Sequence, residues 1–177
     1  QAFNPKNFKK VLGEASEQFE GSDQQDAQEF AAYFLDVLHE DLNRVKGKKP
    51  AVEYPDFEPE EVEQKTYERA AAECWHLYLK RDRSIIIDMF QGQLRSQMTC
   101  KTCGFVLTKF EPFMYLSVPV LCDDKPIVNL EDCMKEYGKE EVLSGMEQWY
   151  CRKCKEHRDA AKRMAIWKLP SVLLVHL

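Results

Sequence analysis

Ser22-Asp-Gln-Gln-Asp-Ala-Gln-Glu-Phe-Ala-Ala-Tyr-Phe-Leu-Asp-Val-Leu-His-Glu-Asp-Leu-Asn-Arg-Val45 carries the clearest structural signal in the chain. Its apolar positions Ala27, Phe30, Ala31, Phe34, Leu35, Leu38, Leu42 and Val45 recur at steps of three and four, which places them on one stripe of a helix. Ser22 with Gln25 three residues on has the pattern of a capping box. Asp23 and Asp26 suit the positive N-terminal end, and Arg44 and Lys46 suit the other end before Gly47. The spacing predicts an amphipathic helix over 22–45.

Downstream, Lys46-Gly-Lys-Lys-Pro50 and Tyr54-Pro-Asp-Phe-Glu-Pro59 interrupt regular structure and offer few positions that pack, so 46–60 reads as a solvated loop. Strong helix formers follow, with Val62, Tyr67, Ala71, Cys74, Trp75 and Tyr78 near one stripe, predicting a second helix over 60–81. After Ile85-Ile-Ile87 the character changes. Segments 91–99 and 105–120 are rich in β-branched and aromatic residues and are expected as strands. Asn129, with Asp132 at the third helical position, opens a short helix that Gly138 can close. Ser171-Val-Leu-Leu-Val-His-Leu177 reads as a buried strand without a turn signal, and residue 1 is Gln, so the chain is expected to be an internal portion of a longer protein. Helices followed by strands make an α+β fold.

The bulk numbers narrow the function classes. At 177 residues and 44% hydrophobic content, the chain can bury a core. It has no run of roughly 18 apolar residues, so no membrane span is expected. A net charge of −5 and a pI near 5.5 disfavour nucleic acid as the main partner, because phosphate binding needs a basic surface. A zinc-ribbon nucleic-acid binder is disfavoured on the same ground.

Cys100-Lys-Thr-Cys103 and Cys151-Arg-Lys-Cys154 account for four of the seven cysteines. Two residues between thiols let both sulfurs of one turn face the same ion, and four such thiolates close a tetrahedral structural Zn²⁺ site. Gly104 supplies the positive φ that such a turn often needs, and Lys101, Lys153 and Lys155 offset the thiolate charge. Two unrelated thiol motifs, a redox pair or an iron–sulfur site are the alternatives. The long stretch 104–150 exceeds ordinary ribbon spacing, which places the two knuckles at the ends of separate hairpins with an insertion between them. An odd cysteine count favours a reducing compartment, cytoplasmic or nuclear, over a disulfide framework. Cys74 reads as a buried helix cysteine, Cys122 and Cys133 as ordinary thiols, and His176 as a packed histidine in an apolar strand.

Gln24-Gln-Asp-Ala-Gln-Glu-Phe30, followed by Leu38-His-Glu-Asp-Leu42, resembles the defining box of the ubiquitin-specific proteases. Phe90-Gln-Gly-Gln-Leu94, Cys100-x-x-Cys103, Tyr115-Leu-Ser-Val-Pro119, Tyr150-Cys-Arg-Lys-Cys154 and Lys168-Leu-Pro-Ser-Val-Leu-Leu-Val-His-Leu177 follow in that family's order. The resemblance implies part of a papain-like architecture of fingers, palm and thumb. Residues 1–90 would be the helical thumb part, 91–167 the zinc-binding fingers with flanking palm strands, and 168–177 the start of a palm strand. It implies that Gln24, Asp26 and Glu29 contact the C-terminal tail of ubiquitin, whose arginines suit carboxylate partners. Helix-start polarity is the competing explanation for those three residues.

The same resemblance implies thiol-dependent hydrolysis after ubiquitin's last glycine, with ubiquitin and ubiquitinated proteins as partners. The family's nucleophile lies in an Asn-x-Cys box and its base in a Gly-His-Tyr-like box. Neither occurs in 1–177, so the chain is expected to hold no catalytic residue and to be inactive alone. A non-catalytic ubiquitin-binding module of the same fold is the alternative.

Overall fold

Pro5, at the N-cap of the first helix, cannot donate an N–H and loses nothing by standing there. The helix, α1 (Lys6–Ala15), leads through a short 3₁₀ turn at Glu17–Phe19 to α2 (Ala27–Leu42). This computed structural model describes residues 4–120 and 128–177, and Cys122 lies outside them. The chain divides into two units, Gln1–Leu42 and Asn43–Leu177.

The first unit is held by an aromatic cluster. Phe19 is buried, with its ring 5.6 Å from Phe30 and 5.3 Å from Tyr33, while Phe34 stacks on Phe30 at 5.8 Å and Phe8 meets both edge-on. Such pairs add about 0.5–1.5 kcal/mol each beyond burial.

The helix expected over 22–45 is shorter at both ends. The Ser22 capping box lies outside it, because Asp26 does the capping: its Oδ1 accepts from the N–H of Gln28 at 2.6 Å and of Glu29 at 3.1 Å. At the far end Asn43 is 2% exposed and binds elsewhere. Its Oδ1 accepts from Val45 and Arg83 N–H groups, and its amide donates to the Arg81 carbonyl. A side chain offering the backbone such local partners competes with helix continuation.

The second unit is built on a sheet. Helix α3 (Pro59–Leu79) starts with Pro at its first position and a capping box between Glu58 and Glu61, and it is broken at Thr66, whose φ of 65° is costly for a β-branched residue. Helix α4 (Ile85–Phe90) is capped by Ser84 Oγ, which accepts from Ile87 N–H. Strands β1 (Gly92–Cys100) and β2 (Val106–Phe113) form a hairpin, and β3 (Tyr115–Ser117) follows. Next come α5 (Leu130–Tyr137), β4 (Glu141–Leu143), β5 (Trp149–Cys151), β6 (Glu156–Arg158), β7 (Ala160–Lys168) and β8 (Leu174–His176). The main antiparallel sheet runs β2-β1-β7-β4, with β5-β6 a separate hairpin and β3-β8 a parallel pair.

The sheet has a core on each face. On one, Phe57, Ala70, Ala71, Cys74 and Phe110 form a buried cluster against α3; on the other, Leu94, Phe113, Leu116, Val118 and Cys133 are joined by Met134, Tyr137 and Val175. Cys74 is thus the buried helix cysteine expected of it, whereas Cys133, read from sequence as an ordinary thiol, lies in the second core.

Segment 46–60 departs from the solvated loop expected of it. Phe57 is 2% exposed and exchanges both backbone hydrogen bonds with Thr108 at 2.9 Å, laying a one-residue bridge against β2. Burying that ring contributes about 2–3 kcal/mol, enough to hold an otherwise polar segment down.

A register shift interrupts the β1–β7 ladder. Leu94 pairs with Ile166 and Gln93 with Lys168, leaving Trp167 as the extra residue of a bulge. The bulge brings Lys168 Nζ to 3.9 Å above the Trp75 ring of α3, while Trp167 packs on Phe110 and Tyr67.

Candidate metal centre and the acidic helix start

Each cysteine pair sits at the turn of a hairpin, Cys100 ending β1 with Cys103 in the turn after it, and Cys151 ending β5 with Cys154 in the turn after it. The two turns have one construction. Gly104 donates its N–H to the Cys100 carbonyl at 2.9 Å with φ 70°, and Lys155 donates to the Cys151 carbonyl at 2.7 Å with φ 58°. A left-handed residue at that step folds the chain back and brings the two sulfurs of a pair together.

The four sulfurs converge. All lie within 4.8 Å of one another, with Cys100 Sγ 4.0 Å from Cys154 Sγ and Cys103 Sγ 3.6 Å from Cys151 Sγ. Cys100 and Cys151 are buried, and Cys103 and Cys154 are half-buried. Cys154 N–H donates to Cys151 Sγ at 3.4 Å. The quartet is able to bind a metal ion.

Proton affinities within the quartet diverge. Burial pushes the Cys100 thiol up, but the backbone N–H groups of Cys103 and Thr102, with the Cys103 and Cys151 thiols, outweigh it and bring it down from 9.0 to about 6. Cys154 is pushed up to about 12, first by its hydrogen bond with Cys103, then by burial and the Cys151 and Cys100 sulfurs. Within the quartet Cys100 thus holds its proton less tightly, and Cys154 more tightly, than an ordinary thiol.

Around the quartet, Phe105 and Trp149 stack at 6.4 Å and 9°. Gln148 Nε2 donates to Asp159 Oδ1 at 2.8 Å, and Lys101 N–H to the Asp159 carbonyl at 2.9 Å. Arg152, between the two cysteines of the second knuckle, pairs with Asp56. Sequence reasoning missed Asp56, since nothing in Tyr54-Pro-Asp-Phe57 marks it as close to a residue so far along the chain.

In the first unit, Gln24, Asp26 and Glu29 are all exposed and gather at the start of α2. Asp26 serves as helix cap through Oδ1, and Glu29, in the first turn, accepts from Gln18 Nε2 at 2.6 Å. Asp26 and Glu29 stand where helix-start polarity also favours a carboxylate, at about 0.3–1 kcal/mol each, whereas uncharged Gln24 precedes the cap.

His176 is half-buried, with Nδ1 3.2 Å from Ser117 Oγ across the parallel β3–β8 pair. Among the described residues no helix is long and apolar enough to cross a membrane.

The family model described as ubiquitin carboxyl-terminal hydrolase matches residues 1–177, and the chain belongs to that family. It is 38% identical over 175 residues to ubiquitin carboxyl-terminal hydrolase 2 of Rattus norvegicus, covering 98% of this chain and 27% of that protein. To ubiquitin carboxyl-terminal hydrolase 4 of Eremothecium gossypii it is 39% identical over 173 residues, covering 98% of this chain and 20% of that one. The chain therefore spans about a quarter of these relatives' length. Among solved structures, the SAGA Ubp8/Sgf11/Sus1/Sgf73 DUB module bound to ubiquitin aldehyde aligns with TM-score 0.57 and 24% identity over 96% of this chain and 30% of that one, a likeness of fold.

Proposed function

We propose that the chain is the central portion of the catalytic domain of a thiol-dependent deubiquitinase, which hydrolyses the peptide or isopeptide bond after the C-terminal glycine of ubiquitin. The observation that carries this is the family match over all of 1–177. The architecture is the papain-like one of fingers, palm and thumb, with 1–90 in the helical thumb part, 91–167 the fingers with flanking palm strands, and 168–177 the start of a palm strand. Its partners are ubiquitin and ubiquitinated proteins, in the cytoplasm or nucleus.

Cys100, Cys103, Cys151 and Cys154 hold Zn²⁺ in this proposal. An all-sulfur set of four donors fits that ion, and a closed set leaves it no position for activating water. The metal is structural.

Chemistry comes from elsewhere. Of the six described cysteines four form the quartet, and Cys74 and Cys133 are in the two cores, so none pairs an exposed thiol with a base. A nucleophile from an Asn-x-Cys box attacks the carbonyl in the complete domain, with a histidine as base.

Gln24, Asp26 and Glu29 receive the arginine-rich ubiquitin tail. Exposure of all three supports this. Substitution separates capping from recognition, because Asn caps as well as Asp but carries no charge.

The test is an NMR titration of ubiquitin, with and without its C-terminal tail, against unaltered protein and the Asp26→Asn, Glu29→Gln pair. Charge-assisted bonds are worth about 1.5–3 kcal/mol, so tail-dependent affinity should fall about tenfold or more, while the melting temperature falls only by the few degrees that two helix-start charges contribute. Equal affinity for intact and tail-less ubiquitin would end the tail assignment. Binding without hydrolysis by the full-length protein would make it a non-catalytic module.

A further inference from the structure

Asp56 is 15% exposed at its side chain and is shared by two cations from different hairpins. Lys109 of β2 places Nζ 3.0 Å from Oδ1, and Arg152, between the second pair of cysteines, donates through its guanidinium to Oδ2. The next residue, Phe57, is fixed to β2 by its two backbone hydrogen bonds with Thr108 and by burial of its ring. Asp56 therefore has little freedom to follow Arg152 if the second knuckle moves.

The two hairpins need such a tie. Strands β5 and β6 have three residues each, and a short isolated hairpin is marginal in water. Its turn must nevertheless present Cys151 and Cys154 to Cys100 and Cys103.

We propose that Asp56 is a positioning residue for the metal centre: by holding Arg152 against Lys109 and the Phe57 bridge, it sets the second cysteine knuckle in place for the ion. The inference rests on the metal reading of the cysteine quartet given above. Outer partners that orient ligands typically contribute a factor of about 10–100 in metal affinity.

The experiment is competition for Zn²⁺ with a chromophoric chelator, using the full chain, Asp56→Asn, Arg152→Gln and the double variant. Hydrogen exchange at 54–58 and 149–158 is followed in parallel, and circular dichroism confirms that each variant is folded. Both single variants should bind zinc about tenfold more weakly, the double variant no worse than either, with faster exchange in both segments. Unchanged or tighter binding by a folded Asp56→Asn, or additive losses in the double variant, would overturn the positioning role. If the unaltered chain binds no zinc at one ion per chain, the metal reading fails and the positioning role with it. Zinc bound equally by all four proteins removes Asp56 alone.

Discussion

Gly104 and Lys155 stand at the same step of their two knuckles, each donating its N–H to the carbonyl of the cysteine four residues before it, and each with positive φ. Only one of them is glycine. A side chain at that conformation costs about 1–2 kcal/mol, and glycine gives back about 0.5–1 kcal/mol in chain entropy. Lys155→Gly should therefore stabilise the chain by up to about 1.5 kcal/mol. Gly104→Val should cost about 1–3 kcal/mol, and paired thermal melts with metal present will show both signs.

Removing the metal should release the second hairpin first. Chelator-treated protein is expected to lose exchange protection at 149–158 while the β1–β2 ladder keeps its own, since that ladder is anchored on both sheet faces. A loss of about 3 kcal/mol would lower the melting midpoint by roughly 6–12 °C at this size. Cys103→Ser or Cys151→Ser should give the same pattern without chelator.

Gly92 has no room for a methyl group. A Cβ there would lie 2.4 Å from the Phe113 ring and 2.7 Å from the Lys168 carbonyl oxygen, and the second of these is backbone. Gly92→Ala should destabilise the β1–β7 pairing by about 1–3 kcal/mol, measured by urea denaturation.

Cys74 should resist alkylation. Burial pushes its thiol from 9.0 up to about 11, with the Glu73 carboxylate adding to it. Because the folded value is raised, the neutral thiol's contribution to stability is complete below pH 9 and is lost as pH rises through about 11. Iodoacetamide at pH 8 followed by peptide mass spectrometry should find Cys74 unmodified in folded protein and modified in urea.

The sequence was most legible where a local rule meets no competitor. The 3.6-residue stripe of 27–42, the knuckle spacing, and Asn129 and Gly138 flanking α5 all stand where expected. It was least legible on β1. Nothing in the strand expected over 91–99 marked which side is covered, and its polar Gln93, Arg95 and Gln97 point at α3. Gln93 donates to the Ala71 carbonyl and Gln97 to the Tyr67 hydroxyl, and the Arg95 guanidinium lies 5.0 Å from the Tyr67 ring centroid and 5.6 Å from that of Trp167. Period-two polarity marks a solvent face only when nothing amphipathic covers it. Phe57 was hidden for a related reason, since one buried ring between prolines makes no pattern. At the acidic helix start the residue types were visible, but their division of labour was not: a cap and a recognition group are the same carboxylate until the hydrogen bonds are known.

The unpaired Trp167 makes β7 a strand with a parity defect. Side chains of a sheet alternate like even and odd numbers, and one supernumerary residue exchanges the two classes for everything beyond it. Lys168 reaches Trp75 only because of that exchange. A sequence in this family that gained or lost one residue here would turn Lys168 and its successors to the opposite face, whereas a change of two would leave them where they are. Length variation in this strand should therefore be tolerated in steps of two.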